Sequence, residues 1–138
     1  MEKVQLTSQD LELLQEFVDN LGASASSFRY FKTRSIEAIK QHVVTLVVIE
    51  NSKIVGYAHL DQDNDNVWLG IAIVEGQTGK GYGRCLMQQL IDKAKQLGIE
   101  RIQLSVDSNN TIAIKLYEMF GFIPFKQGGN ALFFQLTL

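Results

Sequence analysis

Apolar residues in the first half of the chain change from a helical period to runs that are typical of strands. Between residues 11 and 21 they recur every three or four positions, which predicts an amphipathic helix. Thr7 and Asp10 have the spacing of a box that caps such a helix. Three runs of β-forming residues follow, joined by short polar links, at residues 45–50, 54–60 and 67–74. We expect these runs to form an antiparallel meander.

The stretch between the first helix and the meander has no regular period. Residues 22–34 mix small residues with aromatic residues and two arginines, which predicts a long loop or a broken helix. Ser35 follows as a candidate N-terminal cap, and Ile36 and Ile39 can form the apolar side of a short second helix.

The second half of the chain alternates between helix and strand patterns. We expect a helix over residues 86–97, a strand over 101–106, a helix over 112–120 and a hairpin of 122–125 with 131–138. Gly98 and Gly121 stand where helices commonly end. The chain is therefore predicted to be one mixed α/β domain over residues 1–138, with helices flanking a central sheet.

Composition narrows the classes of function. Apolar residues make up 46% of the 138 positions and charged residues 20%, which is ordinary for a globular domain. No apolar run reaches the ~18 residues of a membrane span, and the first residues lack the apolar core of a signal peptide. Cys85 is the only cysteine in the sequence, so an internal disulfide is excluded. We therefore expect a cytoplasmic protein without a membrane partner. The net charge of −2, with no basic tract, also argues against a nucleic-acid partner.

Glycines occupy every second position just before the helix predicted to begin at residue 86. In the stretch QTGKGYGRCLM they are Gly79, Gly81 and Gly83. Glycine weakens a helix interior, but ahead of a helix it supplies positive φ and lets a bulky group approach the backbone. The first amides of a helix are free and lie at its positive dipole end. We therefore interpret the loop as a cradle for a phosphate, to which Lys80 and Arg84 add positive charge.

Two common nucleotide-binding patterns do not fit this loop. A Walker A loop needs Lys and then Ser or Thr after its last glycine, whereas Tyr82 and Gly83 follow Gly81. A dinucleotide fingerprint needs the spacing G-x-G-x-x-G, whereas this loop reads G-x-G-x-G. The remaining alternative to a phosphate cradle is a glycine-rich turn that only precedes a core helix.

A second motif lies downstream, and the two motifs together carry a resemblance. The stretch NTIAIKLYEMFGF, from Asn110 to Phe122, has the pattern N-x-x-A-x-x-L-Y-x-x-x-G-F. With the glycine loop before it, this stretch resembles the GCN5-related N-acetyltransferase (GNAT) superfamily over residues 45–123. Thr78 departs from the Gln or Arg that is usual in the family's loop. The resemblance implies a mostly antiparallel central sheet, a parallel strand–helix–strand core and flanking helices.

The resemblance also implies acetyl-CoA as a co-substrate. It would lie in a gap where the strands at residues 67–74 and 101–106 splay apart, with its pantetheine arm along one strand and its pyrophosphate on the loop amides. The implied cofactor-binding residues are Ile71, Ala72, Ile73, Gly79, Lys80, Gly81, Tyr82, Gly83, Arg84, Asn110 and Tyr117. No metal is expected, because the sequence has no cluster of Cys and His of the kind that zinc needs.

The chemistry that the resemblance implies is direct attack of an amine on the thioester. Tyr117 would stand near the sulfur and supply a proton to the leaving thiolate. The glutamates that many family members use as bases are missing, because Val67 and Ser105 stand at their places. His59 is the best remaining base, and ordered water alone is an alternative. Three aspartates are weaker candidates for this role: Asp61, Asp65 and Asp107.

The acceptor amine is left open by the sequence. The family often builds its acceptor pocket from the irregular segment, so Arg29 and Tyr30 are candidate substrate-binding residues. Arg29 and Arg34 favour a small molecule with an acidic or phosphate group, such as an amino sugar nucleotide. A protein N-terminus or lysine is an alternative acceptor, and a non-catalytic acyl-CoA-binding module is an alternative function. The apolar strand over residues 131–138 could also pair across a homodimer.

Overall fold

Among the residues that the structure describes, seven strands form one sheet, and helices lie on both of its faces. The computed structural model describes residues 2–5, 11–32 and 34–138. The predicted cap at Thr7 and Asp10 lies outside them. The elements are β1 (Glu2–Gln5), α1 (Leu11–Asp19), β2 (Val44–Glu50), β3 (Lys53–Asp63), β4 (Asn66–Ile73), α2 (Tyr82–Gln96), β5 (Arg101–Asp107), α3 (Thr111–Met119), β6 (Ile123–Gly128) and β7 (Ala131–Thr137).

The strand order along the sheet is β1-β2-β3-β4-β5-β7-β6. β4 and β5 are parallel and are joined by α2, whereas the other neighbouring pairs are antiparallel. The predicted meander is confirmed as β2–β3–β4. Asn51 and Ser52 make the turn between β2 and β3, and both have positive φ, which matches the twist of a tight hairpin.

Two apolar cores lie on opposite faces of this sheet, because neighbouring residues of a strand point in opposite directions. On one face, Leu86 and Leu90 of α2 are fully buried in the same cluster as Ala58 of β3. On the other face, Phe17 of α1 is buried against Tyr57, with ring centroids 5.8 Å apart. Burial of each large apolar side chain contributes about 2 kcal/mol. Within the described residues, no helix has the length and apolar character needed to cross a membrane.

The irregular segment is built from short turns of 3₁₀ helix, which agrees with the predicted broken helix, and the short second helix predicted after Ser35 is also a 3₁₀ helix. These turns span Gly22–Ser26, Tyr30–Lys32 and Ile36–Gln41. The Ser35 side chain accepts a hydrogen bond from the Glu37 amide, which confirms the predicted cap. Phe28 and Phe31 pack against Tyr57, so the segment covers the α1 face of the sheet.

The C-terminal hairpin is confirmed, but its place in the sheet excludes one expectation. β7 pairs with β5 along one side, from Ala131 to Thr137, and with β6 along the other. Both of its hydrogen-bonding edges are therefore used within the chain. The prediction that this strand pairs across a dimer is wrong, because β6 and not β7 is the edge strand.

Two apolar positions that the helical period assigned to the core are exposed. Leu97 is 56% exposed because α2 ends at Gln96 and the chain turns there toward Gly98. Ile112 is 83% exposed because it lies in the first turn of α3, on the side away from Tyr117. The buried stripes of both helices are therefore narrower than the sequence pattern predicted.

Candidate active site

A gap opens between the two parallel strands at the middle of the sheet. β3 and β4 pair along eight residues, whereas within the described chain β4 and β5 pair only at Trp68 and Gln103. Beyond that pair, toward the carboxyl ends of both strands, the backbones no longer form a ladder. The side of β4 from Ile71 to Ile73 faces this gap, so its main chain can hydrogen-bond an extended ligand as a further strand would. The three predicted pantetheine-binding residues of β4 therefore line the gap.

The glycine loop lies at the carboxyl end of β4 and leads into α2. Gly79 and Gly81 have φ of +78° and +87°, a left-handed conformation that other residues rarely adopt. Gly83 has no such conformation, but a Cβ there would lie 3.2 Å from a methyl group of Leu116. The alternating glycines therefore have two causes: two of them shape the loop, and the third lets α2 approach α3.

The loop exposes the amides that an anion would need. Gly81 is the N-terminal cap of α2 and offers no side chain to satisfy the first-turn amides. Tyr82 is buried in the core, so its contribution to a ligand is limited to its backbone. Lys80 and Arg84 are exposed at the rim, and Nζ of Lys80 donates to Oε1 of Gln77 at 2.8 Å. The arrangement is that of an anion-binding helix start with added positive charge.

Asn110 caps α3 and Tyr117 lies within it, on the same face of the sheet as α2. Oδ1 of Asn110 accepts a hydrogen bond from the Ala113 amide at 3.2 Å, so the residue caps α3, and its side-chain Nδ2 is the group that could contact a cofactor. Tyr117 is buried against Phe122 and Phe134. Burial raises the pKa of Tyr117 to about 12, so its hydroxyl carries a proton at neutral pH.

His59 lies on the opposite face of the sheet and is 2% exposed. Its Nδ1 lies 2.7 Å from the hydroxyl of Tyr57, and its ring packs at 4.4 Å from the rings of both Tyr30 and His42. The other edge of the imidazole lies over Gly70 of β4, where a Cβ would come within 2.6 Å of it. Burial, reinforced by His42, lowers the pKa of His59 well below its usual value. The residue is therefore neutral at physiological pH and a weak base.

A second set of hydrogen bonds lies beside His59. The Tyr30 hydroxyl donates to Oδ2 of Asp61 at 3.0 Å and lies 2.6 Å from Nε2 of His42. Nδ1 of His42 lies 3.1 Å from the Thr45 hydroxyl. The guanidinium of Arg34 stacks over the Tyr30 ring at 4.3 Å. Asp61, a candidate base, is therefore already an acceptor for Tyr30, and Arg34 is engaged with the same ring.

Arg29 and Asp107 form a two-pronged ion pair across this face. The guanidinium nitrogens lie 2.9 and 3.1 Å from the carboxylate oxygens, and Arg29 also donates to the carbonyl of Ser26. The hydrogen bond from Arg29 holds the pKa of Asp107 below its usual value, so this carboxylate is ionised and weakly basic. Asp65, the remaining candidate base, lies in the turn before β4, at the end away from the gap.

The ion pair also fastens the irregular segment at the mouth of the gap. Asp107 is the last residue of β5, and Glu75 follows the end of β4. Oε2 of Glu75 accepts a hydrogen bond from the Ala23 amide at 2.8 Å. Arg29 and Ala23 therefore tie one segment to the ends of both diverging strands. Contacts between residues this distant in the chain have no local sequence signal.

Three residues that matter here were not singled out as site residues by the sequence. Tyr57 and His42 contact or flank His59, and Gly70 makes room for its ring. The signal for Tyr57 was available, because residues two apart on a strand share a face. Gly70 gave a weaker signal, since a glycine inside a strand marks a close approach.

One other feature of the described residues lies outside the gap. A groove of about 220 Å³ runs between α1 and the start of β3 and is lined by residues that include Phe17, Lys53 and Gln77. It contains none of the candidate catalytic side chains. In residues 2–5, 11–32 and 34–138, no group of three His, Cys, Asp or Glu side chains is arranged to hold a metal ion.

A model of the acetyltransferase (GNAT) family matches residues 11–122. The chain belongs to this family. It is 31% identical over 119 residues to a [ribosomal protein bS18]-alanine N-acetyltransferase of Haemophilus influenzae, covering 86% of this chain and 78% of that protein. It is also 41% identical over 70 residues to a spermine/spermidine N(1)-acetyltransferase of Bacillus subtilis, where the match covers 48% of this chain and 46% of the relative.

Solved structures share the fold over nearly the whole chain. A GNAT-family acetyltransferase from Streptococcus pneumoniae superposes with a TM-score of 0.86 at 21% identity, covering 99% of this chain and 98% of that one. An N-acetyltransferase from Thermoplasma acidophilum, solved with coenzyme A, superposes with a TM-score of 0.82 at 18% identity, with 99% and 98% coverage. The predicted family, fold class and acyltransferase activity are confirmed, and the relatives are enzymes that acetylate amines.

Proposed function

We propose that this enzyme transfers the acetyl group of acetyl-CoA directly to the primary amine of a small molecule. The observation that carries the proposal is the early divergence of β4 and β5, with a left-handed glycine loop at its open end. An extended ligand with an anionic group at one end fits this arrangement. The lone cysteine and the choice of co-substrate also support the cytoplasmic location expected from the sequence.

The residues present fit coenzyme A. Main-chain groups of Ile71–Ile73 would pair with the pantetheine arm, and the side chain of Asn110 would contact the same arm. Amides of residues 79–84 would hold the pyrophosphate, because the first turn of α2 has no other cap. Lys80 and Arg84 add charge at the rim of that loop.

The reaction needs few groups from the protein. A neutral amine attacks the carbonyl carbon, a C–N bond forms, and the C–S bond breaks. The proton that the amine loses and the proton that the thiolate gains balance, so no further reagent is required. Tyr117 is protonated and would donate a hydrogen bond to the developing thiolate. Asp61 and Asp107 lie on the face of the sheet that carries His59, which we call the acceptor face, and both are engaged, so water is the proposed acceptor of the amine proton.

The irregular segment, which is tied to the ends of β4 and β5, favours a small acceptor. Ala23 and Arg29 hold it to Glu75 and Asp107, which narrows the entrance on that face. Both arginines that favoured an amino sugar nucleotide are engaged within the protein, so we do not restrict the acceptor to that class. A protein N-terminus is a second candidate, favoured by the relative that acts on ribosomal protein bS18 and matches 86% of this chain.

Titration calorimetry and thiol release test this proposal. The protein should bind CoA and acetyl-CoA, and it should release thiol from acetyl-CoA with one class among a polyamine, an amino sugar and a peptide with N-terminal alanine. Gly81→Ala should weaken CoA binding. Gly98→Ala is the matched control, because Gly98 also has positive φ and open space around it but lies just beyond the C-terminal end of α2, away from the loop. No measurable heat with either CoA compound would refute the proposal.

A further inference from the structure

The buried imidazole of His59 is placed at the point where the gap begins. His59 pairs across the strands with Gly70, which lies two residues beyond Trp68, the last residue of β4 that pairs with β5. A Cβ at position 70 would lie 2.6 Å from both Cε1 and Nε2 of His59. Glycine at this position therefore allows the Nε2 edge of the ring to rest on the backbone of β4.

The hydrogen bond from Tyr57 fixes which ring nitrogen carries the proton. The Tyr57 hydroxyl is buried, and in the described part of the chain its one partner is Nδ1 of His59. A buried hydroxyl that donated to nothing would cost about 1–3 kcal/mol, so Tyr57 donates and Nδ1 accepts. A neutral imidazole has one N–H, and in His59 that N–H is therefore at Nε2.

The neighbouring histidine does not take up this N–H. Since Tyr30 donates its proton to Asp61, its oxygen accepts from Nε2 of His42, and Nδ1 of His42 accepts from Thr45. Both nitrogens of His42 are therefore engaged. The rings of Tyr30 and His42 each pack 4.4 Å from the ring of His59 and hold its plane in position.

The Nε2 atom of His59 keeps some accessible surface. Within residues 2–5, 11–32 and 34–138, no fully buried side-chain nitrogen or oxygen lacks a hydrogen-bond partner. In the same residues Nδ1 of His59 has its partner in Tyr57, whereas Nε2 has none. Nε2 is therefore not fully enclosed, although the residue as a whole is 2% exposed. This same edge of the ring faces Gly70.

We propose that Nε2–H of His59 donates a hydrogen bond to the carbonyl oxygen of the thioester. Tyr57 is the positioning residue that sets this tautomer, and Gly70 leaves the space for the imidazole ring. The inference rests on the proposed function: with the pyrophosphate at residues 79–84 and the pantetheine along Ile73–Ile71, the acyl end would reach Gly70. His59 thus stabilises the negative oxygen that forms during transfer, beside a main-chain amide of β4, and it does not remove the proton of the amine.

A pair of substitutions separates a donor from a base. In His59→Gln the side-chain amide nitrogen can reach the position of Nε2 and donate, but it cannot take a proton. In His59→Asn the amide reaches only the position of Nδ1. We expect His59→Gln to keep kcat within about 10-fold of the wild type and His59→Asn to lose about 100-fold, the lower end of what removing one oxyanion donor costs. Equal, large losses in both variants with CoA affinity intact would overturn the donor role.

The tautomer can also be measured without turnover. In ¹⁵N NMR spectra of the wild type, Nδ1 of His59 should have the chemical shift of an unprotonated nitrogen, and Nε2 should have that of an N–H. The signals that disappear in His42→Gln belong to His42, so the remaining histidine signals belong to His59. Tyr57→Phe should lower kcat and leave the acceptor KM unchanged, and a change in KM alone would contradict a positioning role. A protonated Nδ1 would overturn the inference. If the wild type releases no thiol with any amine, the proposed function fails, and the spectra still report the geometry of His59.

Discussion

Acidification should destabilise the protein through His59. Burial holds the pKa of this histidine well below 6.5, whereas in the unfolded chain it titrates near that value. Below that pH the unfolded state binds a proton that the native state does not, so stability is lost as the pH falls through 6.5 and is fully present above it. A histidine that stays neutral when folded contributes a loss of about 1.4 kcal/mol between pH 7.5 and 5.5.

The groups that surround the ring support this direction. Tyr57 and Tyr30 are uncharged phenols, because burial raises the pKa of each above its usual value. His42 and Arg34 oppose a positive charge on His59. Asp61 is the nearby carboxylate, and its Oδ2 accepts a hydrogen bond from Tyr30.

Urea unfolding of the wild type and of His59→Gln at the two pH values measures the effect. The variant lacks the titrating group, so on acidification it should lose about 1.4 kcal/mol less unfolding free energy than the wild type. In thermal unfolding, the same difference would lower the Tm of the wild type by roughly 5 °C more than that of the variant. His42→Gln is the matched control. Burial lowers the pKa of His42 too, but its ring is less enclosed, so the effect of that substitution should be smaller. An equal loss in the wild type and in His59→Gln would refute the argument that His59 is neutral when folded.

Three further substitutions test the site. Tyr117→Phe should lower turnover by about 100-fold and leave CoA affinity unchanged in calorimetry, because it removes only the proposed donor to the thiolate; unchanged turnover would exclude that role. Gly70→Ala should cost about 1–3 kcal/mol in urea unfolding, since the methyl group would meet the ring of His59 at 2.6 Å; an unchanged midpoint would show that the ring is not seated on β4. Arg29→Ala should change stability by less than about 1 kcal/mol, because its ion pair is partly exposed, and should alter the acceptor KM. An unaltered KM would remove Arg29 from the acceptor site.

Periodicity predicted the elements well because each helix and strand buries one continuous stripe. Leu86 and Leu90 recur at helical spacing and are both fully buried, and the three runs of the meander became β2, β3 and β4. The predicted positions differ from the observed ones mainly at the ends of elements. At Leu97 and Ile112 the helical spacing of apolar residues continues, although neither position faces the core.

The strand order could be predicted only in part, because it depends on pairings between distant residues. The hairpin of β6 and β7 was evident from the sequence, but the insertion of β7 beside β5 was not, so the free edge was assigned to the wrong strand. The single pair between Trp68 and Gln103 has no local signal either. The gap was expected only because the two motifs resembled a family that has one.

The two sides of the gap differ in how far the sequence predicts them. On the cofactor side the proposed contacts are made by backbone, so glycines with a fixed conformation, such as Gly79 and Gly81, leave a motif that can be read directly. On the acceptor side the geometry comes from side chains that meet across the fold. Arg29 and Asp107 are 78 positions apart, and nothing local in the sequence indicates that their charges are paired.

The place of Val67 in the sheet shows that a side chain at this position does not reach the acceptor face. Val67 is buried with the core under α2, so a carboxylate at this position would lie in apolar surroundings on the wrong face of the sheet. Its neighbour Trp68 lies on the acceptor face, in register with Asp61 of β3. Around His59 that face is lined by aromatic rings, and burial together with His42 and Arg34 disfavours a charged imidazolium, which favours an N–H that is already in place. Within the proposed function, this surface is better suited to stabilising charge on the thioester oxygen than to removing a proton from the acceptor.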